Sequence, residues 1–326
     1  MPAYILGLSP THRALLCAAL RKQTGRPIFV ISPDETAARS MAGDLRALLG
    51  DATVLPGREL TLCSAETVSR QSEQIRLRVL DALAREASPV TVAALPGLLL
   101  RTLPPDTLRE ATLTVQDGQT ISPEEVEQAL LRCGYERADM VEGPGQFSRR
   151  GGILDIFSPT EDNPLRIEFW GDTVDSMGWF DVESQRRTEN AQELRILPAG
   201  ECLPALAEGG APALAAVLRE RSRRAGRRQN GGTSSTALAE DAERLENTAR
   251  LSCADRYMPW ICPQFATALD YIPADAIVLI DQPRRISERA DEMEKQMAED
   301  VRLFGGAPIF PASEDMLSWT SSAKQL

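Results

Sequence analysis

The run from Gly7 to Ala14, GLSPTHRA, has the spacing at which a phosphate-binding loop sets glycine, glycine, lysine and a hydroxyl residue. In a working loop the second glycine lets backbone N–H groups close around phosphates. The lysine then reaches the outer phosphate oxygens and the hydroxyl binds magnesium. Here those last three places hold His12, Arg13 and Ala14. Arginine can meet a phosphate, but alanine has no oxygen for a metal and histidine resists the backbone geometry glycine allows. A second remnant follows the apolar run Ile277 to Ile280, where Asp281 stands in the place of a magnesium ligand and Gln282 in that of a catalytic glutamate. Glutamine cannot act as a general base, and Asp281 reads more simply as the cap of a surface turn. Both motifs predict a frame without ATP hydrolysis, with no catalytic residue and no cofactor.

A different chemistry is written in Leu165 to Trp170, LRIEFW. Period-two alternation puts Leu165, Ile167 and Phe169 on one face of a strand, and Arg166, Glu168 and Trp170 on the other. A tryptophan beside an arginine on a polar face has the composition of an interface anchor. Arg149 and Arg150, just before Gly151 and Gly152, add cationic groups on an adjoining strand.

The elements that must position these residues fall into three blocks. Up to about residue 115, short apolar runs at Tyr4–Leu6, Pro27–Ile31, Thr53–Leu55 and Val90–Ala93 alternate with helical patterns near 11–23, 34–48, 65–87 and 95–102. This rhythm predicts a parallel sheet covered on both faces. Ser32, Pro33 and Glu35 read as a capping box, with Ser32 as the cap. From about 116 to 200 the pattern changes: a capped helix from Ser122 is followed by antiparallel strands over 147–180 with a turn at Gly171-Asp172. From 201 to 326 come an arginine-rich helix (211–228), a Gly/Ser/Thr run (229–236), an acidic helix (237–251), the strand ending at Asp281, and a helix over 286–304. The six arginines Arg219, Arg221, Arg223, Arg224, Arg227 and Arg228 lack interleaved aromatics for stacking on bases. They read as a solvated face against the acidic helix.

Composition narrows the classes. Of 326 residues, 36 are Lys or Arg and 47 Asp or Glu, a formal charge of −11. Such a balance opposes tight sequence-independent binding to nucleic acid, which relies on neutralising phosphates. Cys17, Cys63, Cys133, Cys202, Cys253 and Cys262 are widely spaced and His12 is the only histidine, so no metal site is expected. Free thiols suit a reducing, cytoplasmic setting. No run approaches the roughly 18–20 apolar residues of a membrane span.

The middle block carries a family resemblance. The run from Gly145 to Phe157 (GQFSRRGGILDIF), continuing through Leu165 to Asp172, Phe180-Asp181 and Gln185-Arg186, resembles the N-terminal, UvrB-like module of the bacterial transcription-repair coupling factors (Mfd). Supporting segments are Gly7–Ser9, Ser32–Glu35, Asp255–Pro259, Leu269–Pro273 and Asp281–Arg285, in the family's order across nearly the whole chain. The resemblance implies a degenerate P-loop NTPase-like (RecA-like, UvrB-like) α/β lobe built from 1–115 and 201–326, around an inserted α+β domain, 116–200, that docks UvrA. It implies Arg150, Arg166 and Trp170 as the UvrA-binding residues, in a protein of transcription-coupled nucleotide excision repair. The family pattern has phenylalanine where this chain has Trp170, so the anchor is aromatic but bulkier. An ATP-driven DNA translocase and an RNA polymerase-binding domain are expected beyond Leu326. The C-terminal part of the same protein would be a further partner, masking the docking face.

The rival reading is UvrB itself, a nucleotide hydrolase or damage-binding protein with an aromatic-rich hairpin after the third strand. Only Gly57 to Val68 occupies that interval here, and it contains no aromatic residue.

Overall fold

The computed structural model describes residues 3–58, 71–227, 232–251, 253–304 and 318–319. In chain order the elements are α1 (Pro10–Thr24), β1 (Ile28–Ser32), α2 (Glu35–Leu49), β2 (Thr53–Leu55), α3 (Gln71–Ala84), β3 (Val90–Ala94), α4 (Pro105–Ala111), β4 (Leu113–Gln116), α5 (Pro123–Arg132), β5 (Glu136–Arg137), β6 (Gln146–Arg150) and β7 (Ile153–Ile156). They continue with β8 (Leu165–Trp170), β9 (Thr173–Phe180), β10 (Arg187–Asn190), β11 (Glu193–Ile196), α6 (Gly210–Gly226), α7 (Gly232–Thr248), α8 (Met258–Ile261), β12 (Ile277–Ile280) and α9 (Pro283–Phe304).

β1 and β3 are apolar runs buried along their whole length, as strands covered on both faces must be. They form the centre of a four-stranded parallel sheet ordered β12-β1-β3-β2. Two chain segments far apart in sequence thus share one sheet, because β12 pairs with β1. One face carries α1 and α2, packed through Ala14, Cys17, Ala38, Met41 and Leu45. The other belongs to a larger core that draws α3, α6, α7, α8 and α9 together through residues such as Leu77, Leu80, Leu218, Leu238, Tyr257 and Ile286.

The region 113–201 holds a six-stranded sheet, β10-β9-β8-β7-β6-β5, and a two-stranded ribbon, β11-β4. Its core joins one face of the large sheet to α5 and the ribbon through Phe147, Leu154, Ile156, Leu165, Ile167, Val126, Leu130, Leu194 and Ile196. α5 starts at a complete capping box in which Ser122 and Glu125 each satisfy the other's backbone N–H. The contacts from this region to the rest are largely polar. Arg195 pairs with Asp81 at 2.7 Å, and Arg250 donates to the Tyr135 carbonyl at 2.6 Å. Just past β11, buried Glu201 accepts from Arg76 at 2.7 Å, while Arg58 stands 3.6 Å away.

Several sequence expectations are corrected. Tyr4–Leu6 is no strand: it is exposed coil, with Tyr4 86% and Leu6 90% accessible, and the places on either side of β1 belong to β12 and β3. Ser32 is not a helix cap but the last residue of β1, paired with Ala94. Asp34 caps α2, accepting from the Ala37 N–H at 2.8 Å. Only Leu95–Gly97 of the expected 95–102 helix turns, as a single 3-10 turn; the chain then runs buried into Leu103 and Pro104. The acidic helix begins earlier than expected, at Gly232, and ends at Thr248. The rival's hairpin interval, 57–68, lies mostly outside the described residues.

Candidate docking site on the open sheet face

β8 alternates as its sequence requires: Leu165 and Ile167 are buried, Arg166 and Glu168 half-buried, and Trp170 is 83% exposed. Cross-strand pairing extends this polar face over its neighbours. Ser148 of β6 faces Asp155 of β7, Asp155 faces Arg166, and Arg166 faces Gly178 of β9. The next row runs Arg150, Ile153, Glu168 and Ser176. One face of the sheet is therefore core; on the other Ser148, Asp155 and Gly178 are also buried, and the exposed positions are Arg150, Ile153 and Trp170.

Arg150 and Arg166 converge on one carboxylate. Asp155, 1% exposed, accepts from Arg166 Nε at 2.7 Å and Nη2 at 2.9 Å. It also accepts from Arg150 Nη2 at 3.2 Å. The bidentate contact fixes the plane of the Arg166 guanidinium, which also lies 4.8 Å from the centroid of the Phe180 ring. The hydrogen bond to Asp155 raises the Arg166 pKa above its ordinary value, against the opposing effect of partial burial, so the cation is permanent. Arg166 has one-fifth of its side chain exposed and Arg150 more than half. The neighbouring Arg149 points the other way, to Glu127 of α5 at 3.0 Å and to Glu124, as the period-two rule demands of adjacent residues. Glu168 accepts from the Ser176 hydroxyl at 3.1 Å.

The structure thus brings Arg150 and Arg166 to one carboxylate, with Trp170 further along β8 on the same face, about 13 Å from Arg166 at roughly 3.3 Å per residue. Sequence reasoning missed Asp155. Its signal was a lone carboxylate inside the apolar run ILDIF, at the parity of the polar face.

The two segments whose spacing suggested a nucleotide site meet as well. Ser9 caps α1, so His12 and Arg13 lie in its first turn, and Ala14 just beyond is buried in the core. Gly7 keeps a positive φ of 78°. Asp281 is not the cap of a surface turn: it is 8% exposed and pairs with Arg13. Gln282 follows with φ 56°. The arginine-rich α6 lies against α7 as expected, with Arg219 held by Glu246, Nε to Oε1 at 2.5 Å. Arg221 departs from that reading, its guanidinium lying 4.4 Å from the centroid of Trp260; Arg228 lies outside the described residues. No group of three or more His, Cys, Asp or Glu side chains suited to a metal occurs among the described residues. No helix among them is long and apolar enough to cross a membrane.

Residues 113–201 match the family described as the UvrB interaction domain. Over 91% of its length the chain is 31% identical to a transcription-repair-coupling factor of Bacillus subtilis, covering 26% of that protein. It is 34% identical over 60% of its length to one from Myxococcus xanthus, covering 17% of it. Identity is 30% over 88% of the chain to one from Mycobacterium bovis, of which 23% is covered. The chain spans about a quarter or less of the length of these relatives. It is a homologue of the transcription-repair-coupling factors, and its residues 113–201 match the UvrB interaction domain family.

Proposed function

We propose that the chain is a UvrA-recruiting module acting in transcription-coupled nucleotide excision repair, and that UvrA docks on the open face of the six-stranded sheet. The observation that carries this is Trp170, 83% exposed at the end of a strand whose Arg166 is held by a buried carboxylate, within the segment matched as a UvrB interaction domain. Arg150 and Arg166 would donate charge-assisted hydrogen bonds, and Trp170 would be desolvated as the anchor. The lobe built from 1–115 and 201–326 is read as a degenerate P-loop NTPase-like support for the docking domain, 116–200. It does not hydrolyse ATP, a reading supported by the ion pair between Arg13 and Asp281. RNA polymerase and DNA would be engaged by other parts of a longer protein, which also holds the docking face masked.

The test is UvrA binding by the chain with Arg166→Ala and with Trp170→Ala. Each is expected to cost about 2 kcal/mol, roughly thirtyfold in Kd. Unchanged affinity in both would refute the site.

A further inference from the structure

Across the docking face one lattice position has no side chain of its own. In the row Ser148, Asp155, Arg166, Gly178, the β9 place beside Arg166 is a glycine. The space above it is filled from the next strand. A Cβ at Gly178 would collide with Arg187 Nε and stand 2.7 Å from Arg187 Cζ. Arg187 starts β10 opposite Phe180, the residue on which the Arg166 guanidinium lies. Its side chain runs back over Gly178, donating from Nη1 to Ser176 Oγ at 3.1 Å and from Nη2 to the Met177 carbonyl.

We infer that Arg187 is a further docking residue, a third cation set beside Arg166 by the missing side chain at Gly178, and that it receives a carboxylate from the partner. This rests on the reading of the sheet face as the UvrA-docking surface and deepens it by naming the chemistry of the facing surface. Arg187 is exposed. The hydroxyl and carbonyl that hold it are neutral acceptors, so the structure positions its charge without neutralising it. Arg166, by contrast, shares its charge with Asp155. Along the face the groups alternate in a chequer: Arg150 and Arg166 around Asp155, then Glu168 joined through Ser176 to Arg187. With strands about 4.8 Å apart, the three cations span roughly 15 Å across the strands, starting at β6. A partner surface that fits this strip crosses the strands rather than running along them. It carries acidic side chains opposite Arg187 and an apolar pocket opposite Trp170.

The experiment measures UvrA affinity of the chain and of Arg187→Glu, Arg187→Gln and Arg187→Lys at two salt concentrations. Arg166→Ala serves as a reference and Arg223→Glu, exposed on α6, as a remote charge control. Arg187→Glu is expected to weaken binding at least about tenfold, with Arg187→Lys between it and the original chain. The loss should shrink at high salt, as for an interfacial charge, and Arg223→Glu should bind unchanged. Wild-type affinity in Arg187→Glu alongside lost affinity in Arg166→Ala overturns this inference and leaves the docking face standing. Wild-type affinity in both, or no UvrA binding by the chain at all, overturns the docking face and this inference together. Arg187→Gln keeps N–H donors for Ser176 and Met177 without the charge. If it binds like the original chain, while Arg187→Glu loses hydrogen-exchange protection in β9 and β10, the arginine only braces the sheet and the inference fails.

Discussion

Replacing Asp155 with asparagine removes one negative charge from between two arginines and changes almost no volume. Asp155 accepts N–H groups at 2.7 and 2.9 Å from Arg166 and at 3.2 Å from Arg150. A hydrogen bond to a charged acceptor contributes about 1.5–3 kcal/mol, against about 0.5–1.5 for a neutral one. Losing the charge in the two short bonds therefore costs about 2 kcal/mol. The amide also turns an N–H toward a guanidinium that can only donate, which adds to the cost. Breaking a fully buried pair costs about 3–5 kcal/mol, but water reaches both arginines here, and the longer third bond is discounted for that screening. The expected loss is about 2–3 kcal/mol. More than one hydrophobic core contributes to global unfolding, so the readout is native-state hydrogen exchange in peptides spanning 146–180. Protection there should fall about 30- to 150-fold, and UvrA binding should weaken with it as Arg166 loses its fixed plane. Protection within about threefold of the original chain would show that the carboxylate does not hold the face together.

Two further outcomes follow from other parts of the molecule. Burial pushes the Glu201 carboxyl up, but Arg76 and Arg58 outweigh it and hold its pKa below the ordinary value of 4.5. Its contribution is fully present above pH 4.5 and is lost as the pH falls through the lower folded-state value, since the unfolded chain takes the proton first. Denaturation midpoints should therefore be level from pH 7 to about 5 and drop below about 4.5; a Glu201→Gln chain, less stable at pH 7, should show a shallower acid limb, and equal acid limbs would contradict the account. Titration with a fluorescent ATP analogue and magnesium should give no saturable signal up to about 1 mM, because Arg13 is committed to Asp281 and Ala14 offers no metal ligand; saturation below that level would restore the hydrolase reading.

The parts of this molecule legible in sequence are those where one local rule acts alone. Period two set Arg166 and Trp170 on one face of β8, and the box at Ser122 capped α5 as written. Illegible parts needed a partner remote in sequence. Tyr4–Leu6 is as apolar as a strand, but apolarity alone does not assign a place in a sheet, and the place beside β1 goes to β12 from the far end of the chain. Ser32 and Asp34 both offer an N-cap oxygen; the length of the β1 ladder decides for Asp34. Asp281 read as a surface turn because its cation, Arg13, lies 268 residues away. Asp155 was hidden because a single strand cannot show what its two neighbours aim at it. Arg187 sits in a strand exposed at every position, which has no alternation to read, and its placement follows from a side chain that Gly178 lacks.

One further consequence attaches to the ribbon of β4 and β11. These are the first and last strands of the segment that matches the UvrB interaction domain family, and they pair antiparallel in register from Leu113↔Ile196 to Gln116↔Glu193. The segment between them therefore starts and ends at two points only about 5 Å apart, the spacing of neighbouring strands. Such a cassette can be lifted from one protein and set into a surface loop of another without opening a gap in the host's backbone. Its own hydrogen-bonded clasp travels with it. A segment closed at its base in this way keeps its two ends together whatever chain surrounds it.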